Sequence, residues 1–345
     1  MRAYRMTGPG RAGLVDLPDP EPGPGEVRLD VSAAGLCHSD LAVLAGSAGS
    51  GWPLPMTLGH EICGRVAALG EGVAEVVVGD QVVVHAPIGC GACDRCRCGR
   101  TNYCDRRAAV PVAGIGLGTD GGMADAVVVG ADHLVAADGL DPASAAALTD
   151  AGLTSYHAIG TCRASLDRPG SVAVVLGVGG LGHLAIRILR ATTGARIVAL
   201  DTRDDALDLA RRCGADAVAR PAEAAEVVAE VSDGRGADAV LDFVAAPRTV
   251  ELAATLLRTA GELVYVGAGG GVLAVTKPGP LPFGGCLRLP FWGSRPELEE
   301  VVGLALAGSL DVETVPFPLV AADEAVARLR EGRIVGRAVL LPADG

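Results

Sequence analysis

The sequence lacks features that would each indicate a different class of protein. It has no run of Lys or Arg, and its formal net charge is −12, so no basic segment could neutralise the phosphates of a nucleic acid. Its apolar stretches are interrupted by Gly or charge well short of a bilayer span. The opening residues, MRAYRMTGPG, contain no apolar core of a secretion signal. We therefore expect a cytoplasmic protein that binds neither nucleic acid nor membrane.

Ten cysteines are present without a secretion signal, which makes disulfides an improbable use for them. Their distribution is uneven. Half of them lie within residues 90–104, and the others are scattered along the chain. Clustered thiols in a reducing compartment indicate a bound metal.

Two kinds of sequence follow one another along the 345 residues, a length that favours two domains. Residues 1–147 contain short β-like runs separated by turns, which is typical of a compact, irregular β-barrel-like domain. From about residue 150, apolar strands alternate with helical segments, and this predicts a parallel, doubly wound sheet. The predicted strands are 172–177, 196–201, 239–244 and 261–267, and the predicted helices are 180–193, 204–213 and 247–259. After about residue 295 we expect one amphipathic helix and short strands that return to the first domain.

Four of the clustered cysteines follow the spacing Cys90-x2-Cys93-x2-Cys96-x7-Cys104. Four thiolates can enclose a tetrahedral zinc ion, and nearby glycines give the backbone the freedom to fold around it. A closed shell of four cysteines leaves no position for substrate, so this zinc is expected to be structural. Cys98 is a surplus thiol that leaves the register open, although the spacing favours Cys96.

A second pattern combines Gly59-His60-Glu61 with Gly64, Gly70 and Val73, and with Gly35-Leu36-Cys37-His38-Ser39-Asp40. Together these segments resemble the zinc-containing alcohol dehydrogenases of the medium-chain dehydrogenase/reductase superfamily. Matching motifs run from about Pro22 to Arg337, and the resemblance is strongest to bacterial secondary-alcohol dehydrogenases.

The resemblance implies a catalytic zinc bound by Cys37, His60 and a third protein ligand, with an open position for substrate. Many relatives use a second Cys as the third ligand, whereas Asp150 occupies the matching position here. One thiolate, one carboxylate and a neutral imidazole balance the charge of Zn²⁺ as two thiolates and an imidazole would. Two alternatives remain open: Asp150 could be only a helix N-cap, and Glu61 could act as a transient ligand.

The same resemblance assigns roles to the residues that follow Cys37. Asp40 is expected to accept the second ring N–H of His60 and so to orient that ligand. Ser39 is expected to hydrogen-bond the substrate oxygen and to begin a proton relay. The relay position used by some relatives holds Ala42, so we hypothesise a route from Ser39 through the cofactor ribose to His38.

A dinucleotide site is predicted independently of the resemblance. The segment Gly177-Val178-Gly179-Gly180-Leu181-Gly182 lies between a predicted strand and a predicted helix, and Asp201 ends the next strand. The helix N-terminus favours a pyrophosphate there. Asp201 would bind the ribose hydroxyls and repel a 2′-phosphate, which favours NAD, although Arg203 nearby leaves some tolerance of NADP open.

Further site residues come from the resemblance, which also gives the two predicted domains their family names. Thr154, Val266 and Ala268 should line the nicotinamide, and Arg337 should reach the pyrophosphate. The expected fold is a GroES-like β-barrel catalytic domain, residues 1–149 and 295–345, around a Rossmann domain at 150–294, with the active site in the cleft between them. A homotetramer is expected. The predicted walls of the substrate pocket are Trp52, Ile115, Leu117, Phe291 and Trp292.

These features predict reversible hydride transfer between an alcohol and NAD, with two zinc ions per chain. Ala42 and the small residues at 267–271 favour a roomy pocket for a secondary, bulky or aryl alcohol. Two other functions stay open: reduction of a C=C or C=N bond by a zinc-carrying enzyme of this fold, and nucleotide binding without catalysis.

Overall fold

The computed structural model describes residues 1–47 and 51–342. Its strands are β1 Arg2–Gly8, β2 Arg11–Asp16, β3 Glu26–Leu36, β4 Met56–Thr57, β5 Glu61–Leu69, β6 Gln81–Val84, β7 Gly114–Ile115, β8 Gly118–Thr119, β9 Ala126–Gly130, β10 Leu134–Ala136, β11 Val172–Leu176, β12 Arg196–Leu200, β13 Ala217–Ala219, β14 Ala237–Asp242, β15 Leu257–Tyr265, β16 Cys286–Arg288, β17 Thr314–Pro318 and β18 Arg337–Leu341. Its α-helices are α1 His38–Leu44, α2 Asp94–Arg97, α3 Pro142–Ala147, α4 Leu153–Thr161, α5 Arg163–Leu166, α6 Gly182–Thr192, α7 Asp204–Arg212, α8 Ala224–Val231, α9 Pro247–Leu256, α10 Arg295–Leu306 and α11 Ala322–Arg330. A π-helical turn, Leu148–Gly152, joins α3 to α4.

The chain divides into two compact units, of which the first takes in the described residues of Met1–Leu153, Trp292–Leu306 and Val312–Gly345. Its larger sheet has the strand order β10-β6-β5-β3-β18-β17, and β9 also pairs with β3. The central strand β3 alternates between buried and more exposed residues along its first half, as expected for a sheet with one face on the core. The C-terminal strand β18 pairs antiparallel with β3, which places the tail in this unit.

The second unit comprises Thr154–Phe291 and Ala307–Asp311. Its sheet has the order β13-β12-β11-β14-β15-β16, and every pairing in it is parallel. In chain order this is 3-2-1-4-5-6, the arrangement of a doubly wound dinucleotide-binding fold. Strand β11 is buried along its whole length because helices cover both faces of such a sheet. The predicted doubly wound parallel sheet is confirmed.

Some boundaries differ from those predicted. The helix expected to continue to residue 259 ends at Leu256, because Leu257 already pairs with Ala237 of β14. The ladder then shifts register at Ala260, whose φ is +59°. Helices α8 and α11 were not predicted, although the buried residues of α11, Ala322, Ala325, Val326 and Leu329, follow the spacing of one helix face. In the described part of the chain, every helix is too short or too polar to traverse a lipid bilayer.

Candidate functional site

The first cluster of metal-ligating side chains forms where three separate parts of the chain meet. Cys37 lies between β3 and α1 as the N-cap residue of α1, His60 directly precedes β5, and Asp150 lies in the π-helical turn. Their ligand atoms, with one from Glu61, all lie within 4.8 Å of one another, and all four residues are buried. Distances from Asp150 Oδ2 are 3.4 Å to Cys37 Sγ and 3.6 Å to His60 Nε2.

This spacing fits a tetrahedral zinc ion. Ligand atoms about 2.0–2.3 Å from a tetrahedral ion lie about 3.3–3.8 Å from one another. The donor set of thiolate, imidazole and carboxylate is also one that zinc accepts. The three residues predicted as ligands are therefore close enough to share one ion.

Glycines make the close approach of these segments possible. Gly59 has φ +99°, and a Cβ at the facing Gly116 would lie 2.3 Å from its carbonyl oxygen. Gly35 pairs with Glu61 across β3 and β5, and a Cβ at residue 35 would lie 1.8 Å from a Glu61 carboxylate oxygen. The segment Gly59-His60-Glu61 therefore requires glycine at two facing positions, Gly35 and Gly116, as well as at Gly59 itself.

Asp40 lies where the sequence predicted an orienting carboxylate. Its Oδ1 is 3.4 Å from His60 Nδ1, and its Oδ2 accepts the backbone N–H of Cys37 at 2.8 Å. Both Asp40 and His60 are almost completely buried. Burial lowers the pKa of His60, but the charge of Asp40 and hydrogen bonds to neighbouring acceptors outweigh it and raise that pKa well above its usual value. Acidic groups thus surround the ring, as suits a cation site.

Arg337 is buried against this cluster. Its guanidinium bonds both carboxylate oxygens of Glu61, with Nε 2.9 Å from Oε2, and its Nη2 is 3.2 Å from Asp150 Oδ2. Burial raises the pKa of the Cys37 thiol, yet Arg337 is the strongest opposing influence and the net shift is downward. The structure thus pairs Arg337 with two carboxylates, and its predicted contact with the pyrophosphate stays a prediction. Sequence reasoning missed the pair with Glu61, although a buried carboxylate requires a counter-charge.

Ser39 and His38 begin α1 beside the metal ligands, and both are exposed. Ser39 Oγ lies 3.6 Å from Cys37 Sγ, so a substrate oxygen at the cluster would be within reach of the hydroxyl. The remaining predicted pocket residues differ in exposure: Ile115, Leu117 and Trp292 are buried, Trp52 is half-buried, and Phe291 in the second unit is exposed.

The second cluster lies in the lobe formed by residues 88–112. The ligand atoms of Cys90, Cys93, Cys96 and Cys104 all lie within 4.8 Å of one another. Backbone N–H groups of Cys90, Cys93 and Cys96 point at sulfur atoms of the same set at 3.3–3.5 Å, which stabilises thiolates. Cys98 is exposed and its Sγ bonds the Arg95 carbonyl, so it lies outside the cluster. The geometry therefore brings Cys96, rather than Cys98, to the other three sulfur atoms.

In the second unit, the glycine-rich turn joins β11 to α6. Gly177 has φ +91°, and a Cβ at Gly182 would lie 1.9 Å from the Gly177 carbonyl oxygen, so both positions need glycine. A Cβ at Gly179 would meet no atom within 4 Å, which leaves open space where a phosphate would approach. Gly180 and Leu181 complete the turn, and Leu181 precedes the first residue of α6.

Asp201 follows β12 and faces the same turn. Its carboxylate accepts the backbone N–H groups of Val178 at 2.8 Å and Arg203 at 3.0 Å. Arg203 Nε lies 3.7 Å from Asp205 and 4.0 Å from Asp201, so acidic groups surround its charge. Thr154 is buried at the start of α4, whereas Val266 and Ala268 lie in the loop after β15 and are more exposed.

Comparison with known proteins identifies the family of the chain. Residues 23–139 match the model of the alcohol dehydrogenase GroES-like domain, and residues 180–307 match that of the zinc-binding dehydrogenases. An NAD-dependent alcohol dehydrogenase of Sulfurisphaera tokodaii is 35% identical, over 99% of this chain and 100% of the relative. A D-arabinose 1-dehydrogenase (NADP(+)) of Saccharolobus solfataricus is 34% identical, over 95% and 94%.

Solved structures give the same result. The alcohol dehydrogenase of the archaeon Aeropyrum pernix superposes with a TM-score of 0.91 at 32% identity, covering 99% of this chain and 100% of that one. An acetophenone reductase of Geotrichum candidum in complex with NAD has a TM-score of 0.85 at 32% identity, covering 99% and 96%.

The fold and the sites thus define a zinc-binding dehydrogenase with a GroES-like domain and a Rossmann-type sheet. The chain belongs to the zinc-containing alcohol dehydrogenases of the medium-chain dehydrogenase/reductase superfamily. The predictions of an alcohol dehydrogenase that uses zinc and NAD are confirmed. The two alcohol dehydrogenases named above come from archaea, whereas the sequence motifs had suggested bacterial ones.

Proposed function

We propose that this dehydrogenase interconverts secondary alcohols, bulky or aryl ones included, with their ketones, and that Cys37, His60 and Asp150 hold its catalytic zinc. The observation that carries the ligand assignment is the approach of Cys37 Sγ and His60 Nε2 to the same Asp150 oxygen, at 3.4 and 3.6 Å. Glu61 is the remaining candidate ligand, but both of its oxygens bond Arg337. Its role in the proposal is to hold that arginine beside the cluster.

Zinc, when bound there, acts as a Lewis acid that makes the hydroxyl of the alcohol more acidic. Ser39 would accept the hydroxyl proton and pass its own O–H proton onward, because its Oγ lies beside the ligand cluster at an exposed position. His38, exposed on the same first turn of α1, passes the proton outward to solvent. Asp40 holds the His60 ring from the side opposite to Asp150, through Nδ1, and so keeps Nε2 aimed at the ligand position.

NAD supplies the hydride acceptor, and we propose that the second unit binds it. The turn of Gly177, Gly179, Gly180, Leu181 and Gly182 would take the pyrophosphate at the N-terminus of α6, and Asp201 the adenosine ribose. Thr154, Val266 and Ala268 would line the nicotinamide. In domain terms, residues 1–149 and 295–345 would form the catalytic domain and residues 150–294 the nucleotide-binding domain.

The substrate size is inferred from one similar structure and from small residues of the sequence. The acetophenone reductase among the similar structures acts, by its name, on an aryl ketone. Ala42 and the small residues at 267–271 favour a roomy pocket in this chain. The relatives support oxidation of alcohols over the alternatives of C=C or C=N reduction and of nucleotide binding without catalysis. A homotetramer and a cytoplasmic location remain predictions.

The test combines metal analysis with a substrate comparison on the purified full-length enzyme. We expect two zinc ions per chain and NAD-dependent oxidation of 1-phenylethanol with a higher kcat/KM than that of ethanol. A strong preference for ethanol would refute the roomy pocket, and a chain with one zinc would refute the two-site assignment.

A further inference from the structure

The buried indole of Trp292 touches two of the three proposed ligand segments at once. Its ring packs edge-on against the His60 imidazole, with centroids 5.4 Å apart and planes at 83°. Its Nε1–H donates to the carbonyl of Thr149 at 3.2 Å, one residue before Asp150 in the π-helical turn. One side chain therefore contacts the ring of one ligand and the backbone that carries another.

The backbone at Trp292 adopts a strained conformation. Its φ is +53°, in the left-handed region that side-chain-bearing residues rarely adopt. Such a conformation persists only when its surroundings hold it in place. Gly114 faces the indole ring and leaves space for it, since a Cβ at residue 114 would lie 3.3 Å from Trp292 Cη2.

The residues after Trp292 supply that restraint. The Gly293 carbonyl oxygen lies 3.0 Å from His85 Nε2, and a Cβ at residue 293 would lie 2.4 Å from Leu153. Ser294 is held by Glu297 through both its backbone N–H and its hydroxyl, at 2.8 and 2.7 Å. Arg295 N–H bonds the carbonyl of Gly99 at 3.2 Å. The segment is thus tied to several parts of its unit, and the indole is held rigidly against His60.

From this geometry we infer that Trp292 is a positioning residue for the catalytic metal: it fixes the His60 ring and the Asp150 turn so that both ligands stay aimed at one ion. The inference rests on the proposed ligand set and extends it by one residue. Removing the indole frees the ring of His60 to tilt and the Thr149 carbonyl to shift. The expected consequence is faster loss of the metal, as for other groups that orient metal ligands.

Metal release measures this role without depending on activity. The full-length enzyme keeps zinc on Cys90, Cys93, Cys96 and Cys104 and is loaded with Co²⁺ at the catalytic site alone, which metal analysis verifies. The Cys37 thiolate-to-cobalt absorption is then followed after EDTA is added. Trp292→Phe keeps an aromatic ring but loses the N–H donor. Trp292→Gly loses both contacts and accepts the positive φ without strain, which protects folding. We expect both variants to release Co²⁺ at least about tenfold faster than the parent enzyme.

Phe317→Leu is the matched control, because Phe317 is a buried aromatic residue of the same unit that packs under Arg328. It should lower stability and leave the release rate unchanged. The positioning role would be overturned if the Trp292 variants released Co²⁺ at the rate of the parent enzyme. It would also be overturned if Phe317→Leu accelerated Co²⁺ release as much as the Trp292 variants do. If the parent enzyme showed no thiolate-to-cobalt absorption, the ligand assignment itself would fail, a result distinct from the first two.

Discussion

In the proposed catalytic site, Asp150 supplies a charge that zinc needs, at a position where the family resemblance leads us to expect Cys in many relatives. With Cys37 as thiolate and Asp150 as carboxylate, the ligands balance the two positive charges of zinc. The amide of Asp150→Asn keeps the shape and removes one of those charges, so we expect loss of the catalytic metal and of activity. Asp150→Cys restores the charge and should retain zinc. Metal analysis of both variants checks this, and full zinc occupancy in Asp150→Asn would contradict it.

Asp40 is proposed to act through His60, so its removal should weaken metal binding without abolishing it. We expect Asp40→Asn to lower metal affinity by about 10–100-fold, because the ring loses its charged acceptor. Competition against a zinc chelator measures the affinity. Asp30→Asn is the control, since the Asp30 side chain is 67% exposed on β3 and should leave affinity unchanged. An Asp40→Asn enzyme with parental affinity would argue that the 3.4 Å approach to His60 Nδ1 orients nothing.

At the scale of an element, the lobe of residues 88–112 depends on its metal more than on packing. Its buried cluster consists of the cysteines, with little apolar side chain around them. We therefore expect Cys104→Ser to remove one zinc per chain and to lower the Tm, because binding energy at such a site is folding energy. Cys98→Ser should match the parent in both measurements, since Cys98 lies outside the cluster. Equal effects of the two substitutions would contradict the assignment.

In the proposed cofactor site, the glycine-rich turn and Asp201, which follows β12, are expected to act together in selecting NAD over NADP. Asp201 accepts two backbone N–H groups and would repel a 2′-phosphate. Asp201→Ser should therefore raise the kcat/KM ratio of NADP to NAD at least about tenfold, because Arg203 would no longer share its charge with that carboxylate. Asp205→Ser, which removes the other carboxylate near Arg203, is the comparison. An unchanged ratio in Asp201→Ser would remove Asp201 from cofactor discrimination.

At the scale of the whole molecule, His85 ties stability to pH. It is buried, with Nε2 3.0 Å from the Gly293 carbonyl oxygen, and burial lowers its pKa from 6.5 to about 4. Between these two values the unfolded chain binds the proton and the folded chain does not, so folding is penalised increasingly as the pH falls from 6.5 towards 4. The full effect is about 3 kcal/mol, and it is absent above pH 6.5.

His85→Gln removes the titrating group and should flatten this part of the pH dependence. Denaturant unfolding of the parent and the variant at pH 7.5 and pH 5 gives the difference in free energy. We expect the variant to lose less stability than the parent over that interval. If the difference in free energy of unfolding between parent and variant were the same at both pH values, the pKa of His85 would not differ between the folded and unfolded states.

Local patterns in the sequence were sufficient to predict several features of the structure. The alternation after residue 150 predicted the doubly wound sheet, because a buried parallel strand must be apolar along its length, as Val172–Leu176 is. The cysteine spacing indicated a metal lobe because short loops bring the four thiols together by themselves. The turn from Gly177 to Gly182 was predictable for the same reason: its conformation is set within six residues and by the strand before it.

Contacts between distant segments could be decided only by the tertiary structure. The end of the predicted helix at Leu256 depends on pairing with Ala237 across the sheet, and no local signal shows it. Arg337 meets Glu61 and Asp150 only because β18 lies beside β3, and Trp292 meets His60 only because its segment is anchored elsewhere in the unit. A sequence sets the chemistry of each side chain and its local geometry, whereas partners many residues away are selected by burial and by the need to compensate buried charge.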